Sequence, residues 1–170
     1  KTIEWDAEAA EKAGYEHFMI KEIHEQPKAV ADTLNSVVKE GVIDLSEVGL
    51  SEEEIKGISQ IYIVACGSAY HVGVAAQYVL EDLARIPVRV ELASEFRYRN
   101  PILDPNGLVI IISQSGETAD SLAALRESKK QGVKTLGIVN VIGSSIAREA
   151  DNVFYTLAGP EIAVATTKAY

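Results

Sequence analysis

Five short apolar runs, alternating with helical spacing, most constrain what this chain can fold into. They are Ile61–Ala65, Val88–Leu92, Leu108–Ile112, Val133–Val139 and Val153–Leu157. Each is too short for a helix and apolar through most of its length, so it reads as a strand covered on both faces. Helical patterns separate them: through Ala75 and Tyr78 to Leu83, a short one over Ala93–Arg99, Thr118–Gln131, and Ser144 or Ser145 to Ala150. Strands that alternate with helices predict an α/β fold. Its centre is a five-stranded parallel, doubly wound sheet flanked by helices. From Ile162 onward the pattern predicts one more helix.

The third run leads into the most chemical stretch, Gly107 to Leu122, GLVIIISQSGETADSL. The apolar residues stop at Ser113, and Gln114, Ser115, Gly116, Glu117 and Thr118 precede a helical pattern. A strand, a hydroxyl-rich turn and a helix N-terminus present free backbone N–H groups and the positive end of a helix dipole, a ready anion site. Ser113, Ser115 and Thr118 add side-chain donors, and Gly116 allows close backbone approach. An ordinary loop whose serines only cap the helix also fits. Ligands of such sheets bind outside the C-terminal ends of the strands. The turns after the first, third and fourth runs, Cys66–Ser68, Ser113–Thr118 and Asn140–Ser145, are rich in Gly, Ser or Asn.

An N-terminal helical arm, residues 15–58, precedes the strands. Phe18, Met19, Ile20 and Ile23 suit one helix face that would pack on the rest of the domain, and Pro27 ends or restarts the helix. Ala29 to Val38 continue it to Gly41, which fits a C-terminal cap. Ser51 with Glu54 forms a capping box. Residues 1–14, Ala- and Glu-rich with Trp5, read as a linker from an upstream domain. With no initiator Met, both ends look like cuts in a longer protein.

Charge sharpens what can bind. The net charge is −9. Residues 1–59 hold 14 acidic and 6 basic residues, residues 60–170 hold 11 and 10, so the acidity sits in the arm and does not repel an anion from the strands. No basic face suggests nucleic acid. No apolar run approaches the ~18 residues of a membrane span, so no membrane partner is expected. One cysteine and no export signal favour a cytoplasmic location.

Other chemistries lack their residues. Gly67 to Gly73 does not make a dinucleotide GxGxxG, although Glu91 imitates the ribose-binding acid, and no GxxxxGK[ST] occurs. Cys66 ends an apolar run without an obvious base and reads as a buried structural thiol. His17, His24 and His71 have no metal-ligand spacing, so neither metal nor cofactor is expected. Glu95, Arg97 and Arg99 read as an ion-pair cluster on one turn. Lys168 either faces the anion or lies on the surface.

Four stretches then carry a resemblance. Cys66-Gly67-Ser68, ASEFRYR from Ala93, SQSGETADSLAALR from Ser113 and EIAVATTKAY from Glu161 resemble the isomerizing glucosamine-fructose-6-phosphate aminotransferase family, in its first sugar-isomerase (SIS) half. HFMIKEIHEQP, from His17, resembles the segment joining that family's glutaminase and isomerase domains. The resemblance covers about residues 15–170, which it implies form a SIS domain with its arm. SQSGET alone would point only to the wider group, which includes sugar-responsive regulators. A SIS sensor module controlling a partner is therefore the alternative, and ASEFRYR and HEQP argue against it.

The resemblance implies a parent enzyme that makes glucosamine 6-phosphate from fructose 6-phosphate and ammonia released from glutamine. It implies that Ser113, Gln114, Ser115 and Thr118 hold the sugar phosphate, that Ser68 stands in the first loop, and that Val164 touches the sugar through its backbone. Ala69 stands where relatives often carry a second hydroxyl. The proton-transfer groups, the imine-forming lysine and the glutaminase cysteine belong to parts of the parent outside this chain. No catalytic residue is expected here, and the chain alone should bind without catalysing. A second SIS half and a glutaminase domain are the implied partners, with a homodimer as the implied assembly.

Overall fold

Residues Phe18–Val37 form one helix, α1, in the computed structural model, which describes residues 11–170. The linker assigned to 1–14 thus lies outside the described residues as far as position 10. Pro27 sits inside α1 and neither ends nor restarts it. Proline forfeits one hydrogen bond to the preceding turn. Contacts on both sides of it, at Glu22, Glu25 and Thr33, hold the helix to one neighbouring segment and so keep it continuous. Two short strands follow, β1 (Val38–Lys39) and β2 (Val42–Ile43), paired antiparallel. Between them Glu40 and Gly41 both have positive φ, 53° and 80°. That is the demand of a two-residue hairpin turn, so Gly41 serves a turn and not a helix cap. A 3-10 turn at Ser46–Val48 leads to α2 (Glu52–Lys56). The predicted capping box opens α2, with Glu54 N–H donating to Ser51 Oγ at 3.2 Å and Ser51 N–H to Glu54 Oε2 at 2.8 Å.

The α/β unit then runs β3 (Gln60–Ala65), α3 (Gly67–Ala84), β4 (Val88–Leu92), α4 (Ala93–Phe96), β5 (Gly107–Ser113), α5 (Ala119–Lys130), β6 (Lys134–Val139), α6 (Ser145–Glu149) and β7 (Asn152–Tyr155). The five long strands form one parallel sheet in the order β4-β3-β5-β6-β7. β5 is central and buried along its whole length. Successive side chains of a strand face opposite ways, and the core divides accordingly. Ile61, Ile63, Leu108, Ile110 and Ile112 pack beneath α3 with Ala69 and Val72. Tyr62, Val64, Val109 and Ile111 pack on the other face with Phe96, Ala124, Leu125 and Ile146 of α4, α5 and α6. The sheet is doubly wound, as the alternation of elements predicts.

Two expectations fail where charge takes over from apolar pattern. The helix predicted from Ile162 does not form; residues 161–170 run as an irregular loop. The Glu161 carboxylate accepts hydrogen bonds from Thr166 Oγ1 (2.6 Å), Thr167 N–H (2.7 Å) and Lys168 N–H (3.0 Å), closing the loop on itself in place of helical bonds. The arm also turns a different face inward. Met19, Ile20 and Ile23 are each about 40% exposed, whereas Lys21 and Glu22 are buried at 5% and 1%. Glu22 and Glu25 bond to the 161–168 loop. Lys168 is neither on the surface nor at the anion turn: it is buried, with Nζ 2.6 Å from Glu25 Oε2. Burial pushes the Glu25 carboxyl up, but Lys168 and Lys21 together outweigh it and hold its pKa below the ordinary value.

α3 approaches the sheet most closely at Gly73. A Cβ there would lie 2.8 Å from Ile63 Cγ2 and 3.0 Å from Val90 Cγ1, both on stiff β-branched side chains. Gly73→Ala gains helix propensity but must push α3 off the sheet. We expect a net loss of about 1 kcal/mol, from overpacking of ~2 kcal/mol against a helix gain of ~1 kcal/mol. Urea unfolding checks it, and an unchanged or raised midpoint would contradict this packing account.

Candidate functional site

The sheet order reverses between β3 and β5: the chain leaves β3 for β4 on one side and returns to β5 on the other. In open α/β sheets the crevice at such a switch point, outside the carboxyl ends of the strands, is where ligands bind. Here those ends are level, because Ala65 pairs with Ile112. The loops leaving them, Cys66–Ser68 and Ser113–Thr118, form two walls of an open cleft of about 250 Å³. The 161–170 loop forms the third. All six sequence-predicted residues, Ser68, Ser113, Gln114, Ser115, Thr118 and Val164, line this one cleft.

The turn after β5 is braced from within. Ser113, 3% exposed, accepts the Gly116 N–H on its Oγ at 3.1 Å and lies 3.0 Å from Thr118 Oγ1. Ser115 Oγ accepts the Glu117 N–H at 3.2 Å. Gln114 O accepts the N–H groups of Asn140 (3.1 Å) and Val141 (3.3 Å), and Gly116 O accepts that of Ile146 (3.0 Å), which clamps the turn to the loop after β6. Gly116 has φ 65°, and a Cβ on it would sit 2.0 Å from Ser144 Oγ, so both conformation and space require glycine. Thr118 is the N-cap of α5, yet no side chain caps that helix. The serines therefore do not cap α5, and the first-turn N–H groups keep no acceptor within the helix. The reading of the turn as an ordinary capping loop is not what the geometry shows.

Sequence reasoning missed four further lining residues, Glu161, Ala163, Thr166 and Tyr170. Tyr170 Oη accepts the Gln114 N–H at 2.6 Å, tying the end of the described chain to the turn. Burial pushes its phenol up to about 12, against the opposing Gln114 hydrogen bond. The resemblance brought Val164 of this wall to the site, but beyond the hydroxyls of Thr166, Thr167 and Tyr170 nothing local places its other residues beside a turn some fifty residues earlier. Ala69 also lines the cleft, 4% exposed, and offers no hydroxyl there.

Several candidates find other roles. Cys66 is half-buried and lines the cleft, in place of the buried structural thiol expected; Ser121 Oγ lies 4.0 Å from its Sγ. Glu117 does not serve its own helix. Its carboxylate accepts the Ser145 N–H at 2.6 Å, at the start of α6, and that bond, with the Arg148 charge, holds its pKa below the ordinary value. Arg97 and Arg99 reach away from Glu95, Arg97 to Asp120 at 2.6 Å and Arg99 Nε to Glu91 Oε2 at 2.7 Å. Glu91 is thus an ion-pair partner. Among the described residues no lysine or arginine lines the cleft, which offers N–H and hydroxyl groups as its donors. A larger cavity, about 330 Å³, opens beside β7 between Ser36 and Leu157, but it has no comparable turn. Among the described residues, no helix is long and apolar enough to cross a membrane.

Comparison with known proteins agrees with this geometry. The family model described as SIS domain matches residues 54–170. The chain is 62% identical, over 169 residues, to glutamine--fructose-6-phosphate aminotransferase [isomerizing] of Clostridium acetobutylicum; the match covers 99% of this chain and 28% of that protein. The chain thus spans little more than a quarter of the length of such relatives. Among solved structures, the C-terminal domain of glucosamine-fructose-6-phosphate aminotransferase from Francisella tularensis matches with a TM-score of 0.87 and 47% identity, over 94% of this chain and 45% of that one. Tagatose-6-phosphate ketose/aldose isomerase from Escherichia coli shares the fold, with a TM-score of 0.70 at 17% identity, over 91% of this chain and 42% of that one.

The Glu117–Ser145 bond has a pH signature. A carboxylate whose folded pKa is depressed adds stability that is present above its unfolded value and is lost as pH falls through the folded value. The difference in stability between the wild type and Glu117→Gln should therefore be full above the ordinary 4.5 and shrink as pH falls below it. Urea midpoints from pH 7 to pH 3 check this. A difference that stays constant over that range would show that the Glu117 charge has no part in the clamp.

Proposed function

The chain belongs to the SIS domain family, and from that premise we propose that it is the sugar-phosphate-holding half of an isomerase site, in an isomerizing glutamine–fructose-6-phosphate aminotransferase. The observation that carries the reading is the convergence of the hydroxyl-rich turn, the Ser68 loop and the Val164 loop on one cleft at the switch point. Ser113, Gln114, Ser115 and Thr118, with the N-terminus of α5, take the phosphate of fructose 6-phosphate or glucosamine 6-phosphate. Ser68 and the Val164 main chain meet the sugar. Identity to aminotransferases over nearly the whole chain favours this reading over a sensor module.

The cleft holds better than it converts. Moving a proton between adjacent sugar carbons needs a base within hydrogen-bond reach and with a pKa near the working pH. The Glu161 carboxylate is engaged by Thr166, Thr167 and Lys168, and the Tyr170 phenol is pushed up to about 12. Neither is poised for that transfer. As the family resemblance implies, the acid and base groups and the imine-forming lysine come from a second SIS half and a C-terminal tail, and ammonia from a glutaminase domain joined through residues 1–14. A homodimer completes the assembly, in the cytoplasm.

Titration of the chain with fructose 6-phosphate, followed by amide NMR, tests the binding half of this reading. The amides of Ser113–Thr118 should shift saturably, and Thr118→Val should weaken binding roughly ten- to hundredfold, the worth of one hydrogen bond to a charged group. Unmoved signals at saturating sugar phosphate would overturn it.

A further inference from the structure

The wall that brings Val164 to the cleft is held from the arm. Val164 itself is fully exposed, so no packing of its side chain fixes its place. The two residues before it are fixed through their backbone: Glu22 Oε1, on α1, accepts the N–H of Ile162 at 2.6 Å and that of Ala163 at 3.1 Å. Around this contact, Lys168 Nζ pairs with Glu25, Gln26 Nε2 donates to Thr167 O, and the Glu161 carboxylate ties residues 166–168 together. The loop is thus a closed unit fastened to one face of α1, yet no residue of α1 lines the cleft.

Glu22 is an expensive side chain to use as mere filler. It is 1% exposed, and its second oxygen, Oε2, is buried without a hydrogen-bond partner. A buried carboxylate with an unpartnered oxygen forfeits solvation that an apolar side chain of similar size would not lose. What the carboxylate adds, and leucine does not, is one acceptor that two successive amides share.

We propose that Glu22 is a positioning residue of the sugar subsite: by holding the Ile162 and Ala163 N–H groups it sets where the Val164 main chain stands in the cleft, so the arm governs sugar-phosphate affinity without touching the ligand. The inference rests on the reading of the cleft as a sugar-phosphate site. It separates the two ends of the ligand. The phosphate turn is braced by β5, α5 and the loop after β6, takes one bond from Tyr170 of the far wall, and has no hydrogen bond of its own to α1. The sugar wall depends on it.

The test compares two probes, fructose 6-phosphate and inorganic phosphate, on the 170-residue chain by amide NMR. In the wild type, both should shift Ser113–Thr118, and only the sugar phosphate should shift Ile162–Val164. Glu22→Leu keeps the volume and removes the acceptor; it should weaken fructose 6-phosphate about tenfold and leave inorganic phosphate within about twofold. Glu22→Gln keeps an amide oxygen that accepts both N–H groups, and should restore sugar-phosphate affinity to within about threefold. A Glu22→Leu chain that binds both probes as the wild type does would overturn the inference. So would equal losses for both probes, which mark a general structural effect, or a Glu22→Gln chain no better than Glu22→Leu. Should Glu22→Leu not fold, the wild-type pattern still decides: Ile162–Val164 amides that ignore fructose 6-phosphate while Ser113–Thr118 respond overturn the positioning role and leave the cleft reading standing. Silence of the wild type toward both probes overturns the cleft reading itself, and this inference with it.

Discussion

The parallel pairing of β3 with β5 is the contact on which the site depends. Six residue pairs, from Gln60 with Gly107 to Ala65 with Ile112, bring the two strands to their carboxyl ends at the same level. Each strand then releases a loop into the same crevice, and each loop leads at once into a helix, α3 or α5. Both strands are buried on both faces. A one-residue slip would turn every side chain of a strand to the opposite layer, exchanging Ile61 and Ile63 with Tyr62 and Val64 between two differently shaped cores. The packing of the core therefore sets the height of the Ser113–Thr118 turn relative to Ser68.

The turn itself is stiff because its own polar groups are used for bracing. Ser113 serves Gly116, Ser115 serves Glu117, and Tyr170 serves Gln114. Glu117 reaches across to α6, and the Gln114 and Gly116 carbonyls are held by the loop after β6. An anion entering such a turn meets donors that are already oriented, so little conformational freedom remains to be lost on binding. Among the described residues no lysine or arginine joins the lining, so the donors the cleft offers are amides and hydroxyls, as at a helix N-terminus.

The opposite wall is built on another principle. The loop over residues 161–170 has few apolar anchors, only Ala169 among its fully buried residues, and it is organised by carboxylates acting as acceptors. Glu161 closes it, Glu22 and Glu25 fasten it to α1, and Tyr170 joins it to the turn. This explains why α1 turns Lys21 and Glu22 inward. An apolar stripe on a helix predicts burial only when the neighbour is apolar; a neighbour rich in unpaired backbone N–H groups selects carboxylates instead.

The strand pattern, the capping box at Ser51 and the turn Ser113–Thr118 were legible because each is local: a short apolar run, a Ser three residues before a Glu, a strand running into a helix. The four motifs that carry the family resemblance were legible for the same reason, as contiguous stretches. What stayed hidden was every contact that joins distant segments. Pro27 inside an unbroken helix, the helix that fails to form after Ile162 and the burial of Lys168 were all misread, and the reach of Glu117 to α6 had no local sign. By itself, then, the sequence determined a doubly wound sheet with a hydroxyl-rich turn between its central strand and the following helix, since backbone sterics and short apolar runs act over a few residues. Only the tertiary structure decided which residues complete the cleft and how the arm holds its far wall, because a buried carboxylate takes its partners from whatever amides the fold leaves unpaired beside it.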